Sequence, residues 1–211
     1  METYFKKIKE KLRWTILAPD YLERQTILEG LKKSAPYITG RVLDVGCGNK
    51  PYYNLLRNRI SEYVGLDVDH NNVKADVIAN CLTLPFPEES FDTIICLQVL
   101  GDIPMPDKAL GEMYRVLKKG GYLILTESQT WGLHDIPHDY YRFTKLGLKY
   151  LAEAQKFKIE YVKPRGWFWL MICQRLSCYL YYTWGKNRIT IAVVLPCCVL
   201  LQSIGKLLDC V

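Results

Sequence analysis

Two short stretches hold residues whose types and spacing suit the binding of a ligand that contains a ribose. The first, Val42–Pro51, is an apolar run that turns at Gly46 and Gly48, where a ligand can reach the backbone amides directly. The second, Tyr63–Asp69, is another apolar run. It places Asp67 about twenty residues further on, the spacing at which an acid binds the two ribose hydroxyls. Together they predict a nucleoside-binding turn with a ribose-binding carboxylate.

A third stretch, Trp131–Arg142, combines two histidines, two aspartates, an arginine and several aromatic rings. It follows a predicted strand, on the side where ligands bind in open α/β sheets. Histidine is the commonest general base, so the pattern favours His138 as the base, with Tyr141 and Arg142 as further catalytic or acceptor-binding residues. In the alternative interpretation the loop only covers a bound cofactor, and its polar groups satisfy one another, with Asp139 paired to Arg142.

A parallel sheet is needed to bring these stretches together. The apolar runs predict strands and the segments between them predict helices. The predicted strands are Arg41–Val45, Tyr63–Asp67, Thr93–Leu97 and Tyr122–Thr126, and the predicted helices cover residues 51–58 and 108–117. Alternation of strand and helix at this rhythm indicates parallel pairing through right-handed crossovers. We therefore expect an α/β fold with a doubly wound, Rossmann-like sheet.

The composition predicts a globular protein with a substantial core. Of the 211 residues 49% are hydrophobic, and the formal net charge of +6 suits an acidic substrate or an anionic membrane without requiring either. No basic strip with interleaved aromatic residues lies outside the hydrophobic tail, so nucleic acid is not an expected partner. The eight cysteines lack paired CxxC spacing and Met1 starts no apolar leader, which favours reduced thiols in the cytoplasm. Imidazole and carboxylate proximity at His134, Asp135 and His138 is a poor metal signal, so no metal is expected.

Charge and hydrophobic patterning divide the chain into three predicted segments. Residues 1–36 are basic, amphipathic N-terminal helices that pack on the sheet edge, cover a ligand or rest on a membrane. Residues 37–165 form the ligand-binding domain. Residues 166–211 are an apolar helical extension that is rich in tryptophan and tyrosine and flanked by positive charge. This last pattern favours a hairpin on an anionic membrane surface, and packing against protein, as in a homodimer, is the alternative.

Four blocks occur in an order that is typical of one enzyme family: VLDVGCG, GLDVD, LPFPEESFDTIICLQVL and VLKKGGYLILT. Over roughly residues 40–165 the sequence therefore resembles the class I S-adenosylmethionine-dependent methyltransferases. The further block HDYYRFT resembles one branch of their small-molecule group. The resemblance implies S-adenosylmethionine as the cofactor, and a mostly parallel sheet with an antiparallel edge strand.

The resemblance also implies a cofactor site at the strand ends. The glycine turn would hold the methionine part of the cofactor, Asp67 would bind the ribose and Val68 would flank the adenine. Leu97 and Gln98 would lie near the sulfonium. The full set of implied cofactor-binding residues is Asp44, Gly46, Cys47, Gly48, Asp67, Val68, Asn80, Cys81, Leu97 and Gln98.

The resemblance implies transfer of a methyl group from S-adenosylmethionine to an O or N atom of a small or lipid-linked acceptor. Two departures leave a different class of function open. Asn80 stands where many relatives have an adenine-binding aspartate, and Gly101-Asp102 stands where many continue with Glu-His. The alternative is a catalytically silent methyltransferase-like module that binds a partner or a membrane. A nicotinamide enzyme is disfavoured because the turn lacks the third glycine of that fingerprint.

Overall fold

The structure, a computed structural model, describes residues 15–71, 74–134, 136–184 and 188–209. The chain divides into two compact units within helix α1 (Tyr21–Ser34). The described residues of 1–30 form one unit with those of 164–211, and the described residues of 31–163 form the other. The predicted helical residues before position 15 lie outside the described part of the chain.

The unit of residues 31–163 is built on one parallel sheet of five strands. The strands are β1 (Gly40–Val45), β2 (Ile60–Asp67), β3 (Val77–Ile78), β4 (Phe91–Leu97) and β5 (Leu117–Thr126). The helices are α2 (Tyr53–Leu56), α3 (Pro106–Val116) and α4 (Lys145–Ala154). One 3-10 turn, Ala35–Tyr37, precedes β1, and another, Leu100–Asp102, follows β4. The order across the sheet is β3-β2-β1-β4-β5 with every pairing parallel, which confirms the predicted Rossmann-like arrangement.

Apolar sequence explains why β1 and β4 lie at the centre of this sheet. Consecutive residues on both faces of β4 are buried, the pattern of a strand covered on both sides. Helix α3 begins at Pro106, since proline is favoured in the first helical turn, where no backbone donor is lost. Its buried residues recur at helical spacing and join the core: Ala109, Leu110, Met113 and Val116.

The sheet differs from the sequence-based expectation at both edges. Strand β3 is only two residues long, too short to leave a periodic signal, and it pairs with the end of β2. No antiparallel edge strand occurs among the described residues. The segment after α4 is instead held by side chains, because the Tyr161 hydroxyl lies 2.5 Å from Ser34 Oγ and its ring packs near Tyr37.

The other unit contains α5 (Phe168–Trp184) and α6 (Arg188–Asp209) together with the N-terminal part of α1. Polar side chains of the two C-terminal helices reach the segment before α1. Gln202 Nε2 donates to the Ala18 carbonyl over 3.1 Å, and Gln174 Nε2 donates to the Pro19 carbonyl. The N-terminal segment and the C-terminal extension, predicted as separate segments, thus share one compact unit.

Candidate active site

The turn after β1 is held against β2 and leaves its glycine backbone accessible. The amides of Gly46 and Cys47 both donate to the Leu66 carbonyl, over 2.9 and 3.0 Å. Gly46 and Gly48 have φ values of +70° and +48°, in the left-handed region that favours glycine. A Cβ built at Gly48 meets nothing within 4 Å. The space that a side chain at Gly48 would fill is therefore open, and the binding of a ligand there stays a prediction.

Lys50, two residues after Gly48, also has a left-handed backbone conformation. Its φ is +51°. Its Nζ lies 2.5 Å from an Asp76 carboxylate oxygen and 5.7 Å from the centre of the Tyr63 ring. The ion pair and the ring contact hold a conformation that a lysine seldom adopts. No sequence signal indicated this conformation or the partners of Lys50.

Asp44 is buried at the carboxyl end of β1, and the Tyr63 hydroxyl donates to its carboxyl group. Burial raises the pKa of Asp44 to about 7, against the lowering effects of the Tyr63 hydrogen bond and of Lys50. Burial and the adjacent Asp44 raise the pKa of the Tyr63 hydroxyl well above its ordinary value. A nearby positive charge stabilises the ionised form of a buried acid. Asp44 therefore suits a positively charged cofactor group at the strand end.

Asp67 joins the two stretches that the sequence singled out. Its Oδ2 accepts the Gly48 amide over 2.9 Å, and its Oδ1 accepts the Asp69 amide over 3.0 Å. The next residue, Val68, has 66% of its surface exposed, which is unusual for an aliphatic side chain beside a strand end. The ribose-binding and adenine-flanking residues implied by the resemblance thus lie beside the glycine turn.

Asn80 lies beside the end of β2 because the preceding Ala79 donates its amide to the Asp67 carbonyl over 2.9 Å. The Asn80 amide oxygen accepts the Leu82 amide over 2.9 Å in a local turn. Cys81 packs against the hydrophobic core, and burial raises the pKa of its thiol to about 11. Asn80 keeps its amide nitrogen as a donor, and its oxygen has a second lone pair for a ligand.

Gln98 follows Leu97 at the carboxyl end of β4 and is strained. Its φ is +60°, which is rare for a residue other than glycine. Its side-chain nitrogen donates to Thr126 Oγ1 over 3.2 Å, and its side-chain oxygen accepts from Ser128 Oγ over 2.7 Å. These bonds to the end of β5 fix the side chain. The predicted position of Leu97 and Gln98 at the ligand-binding edge follows directly from the parallel register of β4 with β1.

Glu127, directly after β5, is a site residue that the sequence analysis missed. Its Oε1 accepts the amides of Val99 and Leu100 over 3.0 and 2.6 Å, which fixes the turn that follows β4. Burial raises the pKa of Glu127 to about 7, against the lowering effect of these amides. Glu127 could have been identified from the sequence as an acidic residue directly after a predicted strand.

The 131–142 loop is organised by Arg142. A guanidinium has five N–H donors, and here every one is used. The Arg142 donors bond to the carbonyls of Trp131, Gly132 and Tyr141 and to both carboxylate oxygens of Asp139. The Arg142 guanidinium and the His134 amide hold the pKa of Asp139 well below its usual range. Because no donor is left, the expected contact of Arg142 with an acceptor anion is not supported, and the loop-closing alternative describes this residue better.

The same loop is docked on the turn after β4. The amides of Tyr140 and Tyr141 donate to the Gly101 carbonyl over 3.0 and 2.9 Å, and the Tyr141 hydroxyl donates to the Pro104 carbonyl over 3.1 Å. A Cβ at Gly101 would lie 2.9 Å from the Tyr141 carbonyl oxygen, so this approach requires glycine. Tyr141 is thereby fixed beside the turn that follows β4, and its contact with an acceptor stays a prediction.

The two histidines of the loop differ in their surroundings. His138, the predicted base, is exposed, and its Nδ1 lies 3.4 Å from the Tyr140 hydroxyl. His134 lies between two carboxylates, with Nδ1 3.1 Å from Asp139 Oδ2 and Nε2 4.0 Å from Asp102 Oδ1. Those three residues also have the spacing of metal ligands, but both carboxylate oxygens of Asp139 already bind Arg142. Asp135, considered with them in the sequence, lies outside the described residues.

The protonation of Glu127 predicts how stability depends on pH. The folded pKa of about 7 lies above the ordinary value of 4.5, so between these values the folded chain holds a proton that the unfolded chain releases. The free energy of unfolding therefore falls as pH rises through this window. Glu127→Gln keeps an acceptor oxygen and should be more stable than the wild type above pH 7, by up to about 3 kcal/mol.

Urea denaturation at pH 5, 6, 7 and 8 would measure this effect. The difference between Glu127→Gln and the wild type should grow with pH, whereas Asp44 leaves a residual slope in both proteins because its pKa is raised in the same way. Equal pH slopes in the two proteins would contradict the assignment of a raised pKa to Glu127.

Comparison with known proteins agrees with this geometry. Residues 43–125 match the family described as a methyltransferase domain. An uncharacterized protein of Methanocaldococcus jannaschii is 36% identical over 129 residues, which cover 57% of this chain and 56% of that protein. A phosphatidylethanolamine N-methyltransferase of Cereibacter sphaeroides is 30% identical over 101 residues, which cover 41% of this chain and 49% of that enzyme. The chain thus spans about half the length of these curated relatives.

Solved structures support the same fold. A methyltransferase-like protein of Bacillus halodurans superposes with a TM-score of 0.57 at 22% identity, over 64% of this chain and 70% of that one. The matched family covers β1 to β5, the strands whose ends carry the glycine turn, Asp67 and Gln98. The resemblance inferred from the four sequence blocks is confirmed. Residues 43–125 therefore match a methyltransferase domain of the class I S-adenosylmethionine-dependent type, and S-adenosylmethionine is the cofactor that this family and fold imply.

Proposed function

We propose that the protein transfers a methyl group from S-adenosylmethionine to an O or N atom of a small or lipid-linked acceptor. The hydrogen bond between Asp67 and the Gly48 amide carries this proposal, because it joins the glycine turn to the acid that we expect to bind the ribose. Asp44, buried near the carboxyl end of β1, and Glu127, directly after β5, are acids with raised pKa values at the same edge of the sheet and suit a site for a positively charged sulfonium. The residues present fit the cofactor that the family implies.

The cofactor supplies an activated methyl group, so the protein contributes mainly alignment. In the proposed site Asp44, Gly46, Cys47 and Gly48 hold the methionine part of the cofactor. Asp67 binds the ribose hydroxyls, and exposed Val68 covers one face of the adenine. The remaining contacts come from the ends of β3 and β4, namely Asn80 and Cys81 at the adenine and Leu97 and Gln98 towards the methyl group.

An O or N acceptor must lose a proton, and the surroundings favour His134 over the predicted His138 for this step. His134 is flanked by Asp139 and Asp102, and a carboxylate beside an imidazole orients the ring for proton transfer. Asp102 stands where many relatives carry a histidine, so the loop supplies an imidazole close to that position. In this proposal Tyr141 contacts the acceptor and Arg142 positions the loop.

A lipid-linked acceptor agrees with two independent features. One relative is named for the N-methylation of phosphatidylethanolamine, a membrane lipid. Residues 166–211 are apolar and rich in aromatic side chains, which we propose to contact a membrane surface, from a cytoplasmic location. Neither a nucleic-acid partner nor a resident metal belongs to this proposal, and a homodimer is compatible with it.

One observation favours the catalytically silent module as a second candidate. Every N–H of Arg142 is bonded within the chain, so this side chain has no donor left for an acceptor anion. His138 is exposed with the Tyr140 hydroxyl 3.4 Å from its Nδ1, and no carboxylate of the described residues orients its ring as that of a catalytic base. In that function the domain would bind the cofactor without transferring its methyl group.

Calorimetric titration with S-adenosylhomocysteine and NAD tests the cofactor assignment. We expect micromolar binding of S-adenosylhomocysteine alone, a loss of about hundredfold or more in Asp67→Ala, and unchanged affinity in the matched control Asp69→Ala. Binding of NAD, or equal affinity of the two variants, would contradict the proposed site.

Incubation with methyl-labelled S-adenosylmethionine and a lipid extract then separates the two functions. Transfer that falls in His134→Ala and persists in His138→Ala supports the enzyme, and cofactor binding without transfer supports the silent module.

A further inference from the structure

Helices α5 and α6 bury mostly small or polar residues, unlike helices of a protein surrounded by water. A helix on the surface of a soluble protein buries its apolar stripe and exposes its polar one. The buried side chains of α5 are small or polar: Cys173, Gln174, Ser177 and Cys178. The buried positions of α6 follow helical spacing and are again mostly small or polar: Val194, Cys198, Gln202 and Gly205.

The outward faces of the two helices are apolar. On α5 the exposed large side chains are Phe168, Trp169, Leu176, Tyr179, Tyr182 and Trp184. On α6 they are Val193, Leu200, Ile204, Leu207 and Leu208. Leaving such side chains in water forgoes the main stabilising contribution of folding, and a surface of this extent indicates an apolar environment around it.

The interior of the hairpin is joined by hydrogen bonds and close backbone contact. Ser177 Oγ donates to the Cys198 carbonyl over 3.1 Å, and Cys198 Sγ lies 3.4 Å from the Ser177 carbonyl. A Cβ at Gly205 would lie 2.9 Å from Cys173 Cβ and 3.3 Å from Leu170 Cα. Small residues that allow close approach, and polar residues that bond across helices, are how helices associate in lipid.

Charge in this segment follows the same pattern. From Pro164 to Asp209 the sequence has five basic residues and one acid, Asp209. That acid is used internally, because its carboxylate accepts the amides of Trp167 over 2.6 Å and of Leu170 over 3.1 Å at the start of α5. Of the basic residues, Arg175 lies within α5 and is partly buried. The others lie near helix ends in the sequence, as do the tryptophans, which is typical of segments anchored at the boundary between lipid headgroups and acyl chains.

We propose that the α5–α6 hairpin is embedded in a lipid bilayer, with the apolar faces of both helices in contact with acyl chains. The stretch Ala192–Asp209 has a mean hydropathy of 1.6 and is long and apolar enough to cross a membrane by length and composition. Only 22% of it is buried inside the chain, whereas a core helix of a soluble protein would be mostly buried. This inference deepens the proposed membrane contact from surface binding to insertion, and it does not depend on the transfer reaction.

Flotation of the full chain with lipid vesicles tests the insertion. The test variant is Leu200→Glu with Leu207→Glu, on the outward face of α6. The matched control is Leu146→Glu with Tyr150→Glu, on α4 of the other unit, where the side chains are 74% and 73% exposed against 62% and 70% for the test pair. We expect the wild type and the control to float with phosphatidylcholine vesicles, with and without phosphatidylglycerol and in 0.5 M NaCl, and the test variant to lose at least about tenfold of its bound fraction.

Tryptophan fluorescence gives a second, independent measurement. Acyl chains brominated near the headgroup should quench the wild type and the control, because Trp167, Trp169 and Trp184 are exposed on the hairpin. Absence of flotation would overturn the proposal. Binding that requires anionic lipid and disappears in salt would also overturn it, because such binding shows electrostatic attraction to the membrane surface. A dimer that dissociates in the test variant without lipid would overturn it too, because it shows that the apolar faces form a protein interface. Helical circular dichroism and S-adenosylhomocysteine binding, both retained in the variants, separate this outcome from misfolding and from failure of the methyltransferase proposal.

Discussion

Replacing Gly46 by alanine is expected to lower the free energy of unfolding by about 3 kcal/mol and to abolish cofactor binding. Two costs add at this position. The φ of +70° disfavours any side chain by about 1–2 kcal/mol, and the new Cβ would lie 2.3 Å from Val99 Cγ2, an overlap that costs about 1–3 kcal/mol. Relief of that overlap moves either the glycine turn or the residue that follows Gln98, and both belong to the proposed cofactor site.

Gly48→Ala is the matched control for this prediction. Its φ is also positive, at +48°, but a Cβ there meets nothing within 4 Å, so only the backbone cost of about 1 kcal/mol is expected. Urea denaturation measures both variants. In the double variant Gly46→Ala/Val99→Ala much of the loss should be recovered, because two of the overlapping atoms are gone. Equal destabilisation by Gly46→Ala and Gly48→Ala would show that the contact with Val99 is not the cause.

Arg142→Ala is expected to open the 131–142 loop while the sheet stays folded. The substitution removes the five hydrogen bonds that the guanidinium N–H groups donate. The Asp139 carboxylate keeps its contacts with the amide and the ring of His134. A polar group that loses its hydrogen-bond partner destabilises the folded state. We expect limited proteolysis within the loop to accelerate at least about tenfold, because cleavage follows the population of locally open states.

The controls for the loop prediction separate charge from geometry. Arg59, an exposed arginine of the same unit, should tolerate replacement by alanine without faster cleavage. Arg142→Lys keeps the charge but not the five-donor fork, so it should resemble Arg142→Ala. S-adenosylhomocysteine affinity should change little, since the glycine turn and Asp67 make no bond to Arg142 in the structure. Protection of the loop in Arg142→Lys would contradict the geometric role and leave only an electrostatic one.

The central strands and the cofactor-facing residues could be predicted because local sequence specifies them. Apolar runs placed β1, β2, β4 and β5 within a few residues of their observed starts, and the ends that carry the ligand groups agree. The positive φ values at Gly46 and Gly48 follow from glycine itself. Asp67 and Gln98 could be placed at one edge because parallel strands bring their carboxyl ends together.

The acceptor side was less predictable, because it depends on contacts between residues far apart in sequence or on competition among neighbours. The composition of residues 131–142 indicated a functional loop and included the pairing of Asp139 with Arg142 as an alternative. Which histidine stands between carboxylates is decided by the docking of the loop on Gly101, which brings Asp102 to His134. Glu127 was missed because its partners, the amides of Val99 and Leu100, come from another strand end.

The sequence by itself determined the parallel sheet, the glycine turn with its ribose acid, and an apolar C-terminal extension, because each depends on residue types within a short window. Only the tertiary structure decided which faces of the helices in that extension are buried and which are exposed. Hydropathy counts apolar residues but does not say which face of a helix is covered. Packing of α5 and α6 against each other and against the segment before α1 buries Gln174, Ser177 and Gln202 and leaves the aromatic and aliphatic side chains exposed. The direction of those faces is a property of two helices in contact, and it is what points to lipid.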